Sequence, residues 1–125
     1  MSRELMELIL PRLAQRLNRQ LRRYREGRLD ESQFSAKFER LLQQQHAWLA
    51  NRGVADVDAA VTVHGAVLVL SGAGLRAEAE EESLPLEVVE FRAVKAAASD
   101  VAQHYGVSER KAVKRISALV ATYAD

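Results

Sequence analysis

Apolar residues recur every three or four positions through the first part of the chain. This spacing places them on one face of a helix. The pattern predicts a helix from about residue 3 to residue 26, with Gly27 as its C-terminal stop. Pro11 lacks an N–H and crowds the preceding turn, so we expect a bend near residues 9–11. The residues of the apolar face are Met6, Leu10, Leu13, Leu17, Leu21 and Tyr24.

A second helix begins with a clear start signal. Asp30 is a typical N-cap, and Gln33, three residues later, can complete a capping box. Leu29 is placed to pack against Phe34 as a hydrophobic staple. The helix is predicted to end at Gly53. Because the connection to the first helix is short, residues 1–53 are expected to form an antiparallel helical hairpin.

Residues 60–71 are rich in β-branched residues and contain one His64-Gly65 pair that suits a tight turn. This composition predicts a short β-hairpin. The alternative is one buried helix, which Gly65, the β-branched residues and the short length disfavour. The hairpin belongs to a middle segment, residues 54–82. The segment ends in an acidic stretch of Glu78, Glu80, Glu81 and Glu82 ahead of the next helix.

Two further helices are expected in residues 83–125. Ser83 with Pro85 marks the start of the first, which is predicted over residues 86–104 and ends at Gly106. Ser108 caps the last helix, which runs to about Tyr123. The whole chain is therefore predicted to be one mostly helical α+β domain with an N-terminal helical hairpin, a short β-hairpin and a C-terminal helix pair.

Residues 98–116, Ala-Ser-Asp-Val-Ala-Gln-His-Tyr-Gly-Val-Ser-Glu-Arg-Lys-Ala-Val-Lys-Arg-Ile, resemble a helix-turn-helix. Ala102 is the small residue that lets the two helices approach, Gly106 makes the turn and Val107 fills the corner. The motif usually has larger apolar residues at the positions of Ala112 and Arg115, and this departure leaves individual base contacts unassigned.

The resemblance implies that the last helix is offered to a DNA groove. Its cations would then contact phosphates or base edges. The alternative is an ordinary packed helix pair with a solvated basic face. The cations concerned are Arg110, Lys111, Lys114 and Arg115.

Residues 65–119 carry a looser likeness. A strand over residues 65–70, then Leu84-Pro85-Leu86, an alanine-rich helix and Gly106-Val107-Ser108 are similar to the small C-terminal domain of the bacterial 16S ribosomal-RNA ribose methyltransferases. The methylase domain of that family is missing, so methyl transfer is not implied. The likeness implies an accessory piece that contacts nucleic acid.

Charge is segregated along the chain, although the net charge is only +1. Residues 1–55 carry 11 basic and 6 acidic side chains, residues 56–90 carry 1 and 8, and residues 91–125 carry 6 and 3. Basic ends therefore flank an acidic middle. They can bind a polyanion, or the middle can neutralise them within the fold or across a dimer.

Four arginines of the first helix form a ridge. Their spacing of four, three and four residues keeps them within about 60° of one another around the axis. A ridge of guanidinium groups suits phosphate recognition. It suits equally an acidic protein surface, including the 78–82 segment of this chain, or plain solvation. The residues are Arg12, Arg16, Arg19 and Arg23.

Other chemistries find little support in the sequence. Cysteine is absent, which excludes disulfides, thiol nucleophiles and thiolate metal sites. The histidines His46, His64 and His104 have no metal-ligand spacing. The longest uncharged run, residues 59–75, is shorter than the about 20 residues of a membrane span. We expect no enzyme activity, no cofactor, no metal, no membrane and a cytoplasmic location.

The prediction is a small DNA-binding or transcription-regulatory protein. The last helix and the arginines of the first helix would contact duplex DNA or RNA. A homodimer is expected, because the long leucine stripe needs covering and because symmetric pairs of basic faces suit duplex DNA. The alternative is a protein-binding adaptor or assembly factor that uses the helical hairpin without nucleic acid.

Overall fold

A computed structural model describes residues 2–123, and the side chains of residues 4–123. The described chain is entirely helical and contains no strand, so the predicted α+β class is wrong. It forms six helices: α1 (Ser2–Arg25), α2 (Glu31–Ala50), α3 (Asp56–Leu70), α4 (Gly72–Glu82), α5 (Leu86–Tyr105) and α6 (Glu109–Tyr123).

Helix α3 is the centre of the fold and occupies the region predicted as a β-hairpin. It packs against α1, α2, α5 and α6. Because neighbours cover most of its circumference, most residues from Ala59 to Ala66 are buried and α3 has almost no polar face. β-Branched side chains can be buried in a strand or in a helix that is covered on most sides. In this segment the packing of the neighbouring helices overrides the preference of these residues for a strand. Thr62 is buried as well, and its Oγ1 donates a hydrogen bond to Asp58 O at 2.7 Å.

Gly65 allows close contact between helices instead of forming a turn. A Cβ added to Gly65 would lie 3.2 Å from Leu119 Cδ1 of α6 and 3.7 Å from Met6 Sδ of α1. The absence of a side chain therefore lets α6 and α1 approach the middle of α3. Residues 65–70, which form a strand in the methyltransferase likeness, belong to α3 and are helical.

The acidic segment is part of a helix. Gly72, predicted to follow a strand, begins α4, which bends by 61° from α3. The four glutamates of the 78–82 segment lie within α4. Ser83 was expected to cap the next helix, but it ends α4 in the left-handed conformation, with φ of 56°. Helix α5 begins at Leu86 after Pro85 and has no side-chain cap.

The predicted helical hairpin and the capping box at the start of its second helix are confirmed. Asp30 Oδ1 accepts a hydrogen bond from Gln33 N at 2.7 Å, and Asp30 N donates to Gln33 Oε1 at 2.9 Å. The rings of Tyr24 and Phe34 lie 5.2 Å apart beside the connecting turn. Near the other end Arg12 Nε donates to Gln45 Oε1 at 3.3 Å. These contacts make α1 and α2 antiparallel and fix their register.

The apolar face of α1 is covered only in part within the chain. Met6, Ile9 and Leu13 have no exposed surface, and α1 packs on α3, α2 and α6. Leu10, Leu17 and Leu21 are half-buried, and Tyr24 is exposed. Ile9 was not part of the predicted stripe. It is buried because α3 and α2 together cover a wider arc of α1 than one neighbouring helix would. Pro11 lies inside an uninterrupted α1. The homodimer remains a prediction, and both of its grounds, the leucine stripe that is only partly covered and the symmetry of duplex DNA, still apply.

The C-terminal helix pair forms with the predicted bounds. Gly106 is left-handed, with φ of 63°, and Ser108 Oγ accepts a hydrogen bond from Lys111 N at 3.4 Å at the start of α6. Helix α6 turns a face towards α5 and α3 that consists of Ala112, Ile116, Leu119 and Val120. Among the described residues, no single helix is both long and apolar enough to cross a membrane.

Candidate functional site

The register of the hairpin brings cations of two helices together. Arg16 and Arg19 of α1 face Lys37 and Arg40 of α2 across a concave site of about 240 Å³. Gln20, Leu41 and Gln44 complete its lining. We call this site the basic groove. Periodicity within α1 predicted the two arginines, whereas Lys37 and Arg40 were missed because they join the site only through the pairing of the helices.

The basic groove contains no compensating negative charge. No carboxylate lines it. Within residues 4–123 none of its four cations is part of an ion pair, although Arg16 Nη1 donates to the backbone oxygen of Arg12 at 3.3 Å. Gln20 adds an amide whose Oε1 is buried without a hydrogen-bond partner in the described part of the chain. Four uncompensated cations around one concavity give it a positive potential, which attracts anions.

Arg12 lies beside the basic groove and is held by an aromatic ring. Its Cζ is 4.2 Å from the ring centroid of Trp48, and the Cζ of Arg52 is 4.1 Å from the same centroid. Partial desolvation, and then the charges of Arg16 and Arg52, lower the pKa of the Arg12 guanidinium. Trp48 therefore positions two cations and is not a free platform for a stacked base. Arg52 extends the basic surface and was not predicted.

Arg23, the last member of the predicted ridge, does not line the basic groove. It is half-buried and lies beyond the groove, towards the turn that joins α1 and α2. The structure thus divides the ridge into Arg12 on Trp48, Arg16 and Arg19 in the groove, and Arg23 outside it.

The cations of α6 are only partly available. Arg110, Lys111 and Lys114 are exposed. Arg115, in contrast, lies against α3, where its Nη2 is 2.6 Å from Asp58 Oδ1 and its side chain is 38% exposed. The Asp58 carboxylate therefore holds one of the four predicted contacts at the edge of the core.

The acidic middle of the chain pairs with the C-terminal third. Asp58 binds Arg115, and Arg92 of α5 lies 2.6 Å from Glu82 and 3.9 Å from Glu78. The hydrogen bond from Arg92 lowers the pKa of Glu82. Among the described residues, no ion pair joins the 78–82 segment to the predicted arginines of α1. Self-neutralisation therefore reaches the C-terminal third and leaves the basic groove uncompensated.

All three histidines meet in a second concave site, of about 370 Å³. His46 of α2, His64 of α3 and His104 of α5 line it, together with Tyr105 and Asp100. We call it the histidine pocket. No spacing in the sequence signals it, because each histidine comes from a different helix. No set of three His, Asp or Glu side chains in the described part of the chain is arranged to hold a metal ion.

Two aspartates lie beside the three imidazoles. His46 Nε2 lies 3.2 Å from Asp56 Oδ1, and His64 Nε2 lies 3.5 Å from Asp100 Oδ2. His104 Nδ1 is hydrogen-bonded to the backbone oxygen of Asp100 at 3.3 Å and lies 3.7 Å from its carboxylate. Desolvation lowers the pKa of His64, although Asp100 opposes this effect. Burial, and then the charges of Asp56 and Asp100, raise the pKa of the Tyr105 hydroxyl.

The buried position of His64 predicts a loss of stability in mild acid. The unfolded chain takes up this proton near pH 6.5, whereas the folded chain takes it up at a lower pH. As the pH falls below about 6.5 the unfolded state binds more protons, so the free energy of unfolding decreases until the folded pKa is passed. One group changes it by at most about 1.4 kcal/mol per pH unit.

Urea unfolding at pH 7, 6 and 5 measures this effect. His64→Gln should flatten the pH dependence over that range. His104→Gln, at a side chain that is 71% exposed, is the matched control. The charge of His104 makes only a smaller contribution to the pKa of His64 than burial does, so most of the His64 effect should remain. A His64→Gln profile parallel to that of the unmodified protein would contradict the assignment.

Comparison of the chain with protein-family models, with curated proteins and with solved structures finds no match.

Proposed function

We propose that this protein is a small, non-catalytic nucleic-acid-binding protein whose basic groove binds the phosphate backbone. One observation carries the proposal: four cations from α1 and α2 converge on one concavity without a carboxylate among its lining residues. Lys and Arg side chains that neutralise phosphates release condensed counterions, and this release supplies much of the affinity for nucleic acid.

The arrangement of the cations favours a repeating polyanion. Arg12, Arg16 and Arg19 follow one another along α1 over about 10 Å, from the rise of 1.5 Å per residue. Lys37 and Arg40 run beside them on α2. A line of cations along the helical hairpin matches the repeating phosphates of a duplex, and a guanidinium group can bind two phosphate oxygens at once. We therefore place duplex DNA in the basic groove, with duplex RNA as the second candidate.

Helix α6 would supply additional contacts. Three of its cations, Arg110, Lys111 and Lys114, are exposed. Because they are free to contact a nucleic acid, the contacts implied by the helix-turn-helix resemblance stay part of the proposal. Arg115 is removed from the proposed contacts because Asp58 holds it. A role in transcription regulation, a homodimer and a cytoplasmic location complete the proposal. The protein-binding adaptor remains the alternative, and an acidic polypeptide tests it directly.

Salt dependence tests the proposal. In a fluorescence polarisation titration with a labelled 20-base-pair DNA duplex, the four cations of the groove alone predict a slope of about −3.6 for log affinity against log salt concentration, and contacts from α6 make it steeper. Affinity should then fall by at least about 100-fold between 50 and 200 mM salt. A duplex RNA of the same length distinguishes the second candidate, and the mass in solution tests the dimer.

Two outcomes would overturn the proposal. The first is the absence of binding to both duplexes at 50 mM salt. The second is tighter binding to poly-glutamate than to either duplex, which would favour the adaptor.

A further inference from the structure

The histidine pocket lies on the other side of α2 from the basic groove. Positions 37, 40, 41 and 44 of α2 line the groove, whereas positions 39, 42, 43 and 46 line the pocket. At about 100° per residue these two sets point in opposite directions around the helix axis. The two sites are therefore separate, and the second is not explained by binding to a phosphate backbone.

The charge of the histidine pocket is opposite to that of the basic groove. Glu39 and Asp100 line it, and no lysine or arginine does. Asp56 lies next to it, hydrogen-bonded to His46. With histidine counted as neutral, as in the formal net charge of the chain, the two lining carboxylates determine the charge of the pocket. Such a site attracts a cation and repels an anion.

The floor and one wall of the pocket are apolar. Ala60, Val63 and Val101 are buried beneath it, and Leu42 is half-buried at its side. The rings of His46 and Tyr105 are stacked, with centroids 6.1 Å apart and planes inclined by 5°. A concave site with an apolar floor and a few convergent polar groups is the usual form of a small-molecule site.

We propose that the histidine pocket binds a small organic ammonium ion, with its apolar body on the floor formed by Val63 and Val101 and its charged head between Glu39 and Asp100. The apolar floor then matches the body of the ligand, and the acidic side of the pocket matches its charged head. The inference is independent of the proposed binding of nucleic acid.

Benzylamine is the probe, because it combines an ammonium group with a compact apolar body. Its binding is followed at pH 8 by chemical shifts of the Val63 and Val101 methyl groups and of the imidazole carbons. Benzyl alcohol and benzoate have the same body with no charge and with negative charge. We expect saturable benzylamine binding, at least about tenfold weaker binding of benzyl alcohol, and no binding of benzoate.

Two variants test the assigned head position. Asp100→Asn and Glu39→Gln should each weaken benzylamine binding by about tenfold, and Glu87→Gln, an exposed carboxylate at the start of α5, is the matched control. Circular dichroism and the urea midpoint establish that each variant is folded. Equal weakening by Glu87→Gln would show a long-range charge effect and contradict the site.

The pH dependence provides a further test. Glu39 and His46 of α2, Asp56 and His64 of α3, and Asp100, His104 and Tyr105 of α5 face one another around the pocket. Positive charge on an imidazole of the pocket opposes that of the ammonium group, so benzylamine should bind no more tightly at pH 5.5 than at pH 8. Equal affinity for benzylamine and benzyl alcohol, or no saturable shift of the pocket signals up to 20 mM benzylamine, would overturn the proposal.

Discussion

Reversing one cation on each side of the basic groove, in the double variant Arg16→Glu/Arg40→Glu, is expected to lower the affinity for duplex DNA by about 100-fold at 50 mM salt. Each substitution removes a phosphate contact and places a negative charge where the phosphate lay. The slope of log affinity against log salt concentration should also become less steep by about 2, since two phosphate contacts are lost. Polarisation titrations at several salt concentrations measure both quantities.

The matched control is Arg76→Glu/Lys95→Glu. It changes the net charge by the same amount, and both side chains are exposed, on α4 and α5 respectively. If binding depended on net charge alone, the two double variants would lose equal affinity. Equal losses would therefore exclude the basic groove as the binding site, whereas a loss confined to Arg16→Glu/Arg40→Glu supports it.

The variant Lys111→Glu/Lys114→Glu ranks the two basic surfaces. Both lysines are exposed on α6. In the present proposal α6 adds contacts to those of the groove, so we expect a smaller loss of affinity than for the groove variant. A larger loss would make α6 the principal contact and favour the helix-turn-helix as the main binding element.

The elements that the sequence predicted correctly depend on local signals. The capping box of Asp30 and Gln33 forms as expected, because its hydrogen bonds join residues three positions apart. The stop at Gly106 and the cap at Ser108 are local as well. The start of α2, the end of α5 and the start of α6 could therefore be predicted without knowledge of any packing partner.

The β-hairpin was predicted wrongly because α3 is determined by its neighbours. A run of valines with one His-Gly pair is compatible with two short strands or with one helix buried on most sides. What decides between them is the presence of α1, α2, α5 and α6 around the segment. Residue composition within 60–71 contains no information about these neighbours.

The candidate site was predictable to the same extent. The spacing of Arg12, Arg16 and Arg19 placed them on one face, and α1 alone determines this result. The addition of Lys37 and Arg40 required the hairpin register. The histidine pocket required three helices to be placed in space, so no part of it could be derived from spacing along the chain.

Gly65→Leu is expected to destabilise the fold by about 3 kcal/mol, and it tests directly whether residues 60–71 form the central helix. A Cβ at this position already lies 3.2 Å from Leu119 Cδ1. Leu119 and Met6 are buried, so the remaining atoms of a leucine have no space and must force α6 away from α3. The midpoint of urea or thermal unfolding measures the loss.

Gly74→Leu is the matched control, because it makes the same substitution within a helix where a Cβ meets nothing within 4 Å. It should stabilise the protein by up to about 1 kcal/mol through helix propensity alone.

Gly65→Ala distinguishes a tight turn at residue 65 from a helix. In a tight turn with positive φ an added Cβ is strained. In α3 the gain in helix propensity offsets the close contact with the terminal methyl group of Leu119, which needs to shift by only a few tenths of an ångström. We therefore expect Gly65→Ala to change stability by less than about 1 kcal/mol, and a Gly65→Leu variant as stable as Gly74→Leu would show that α6 does not pack on the middle of α3.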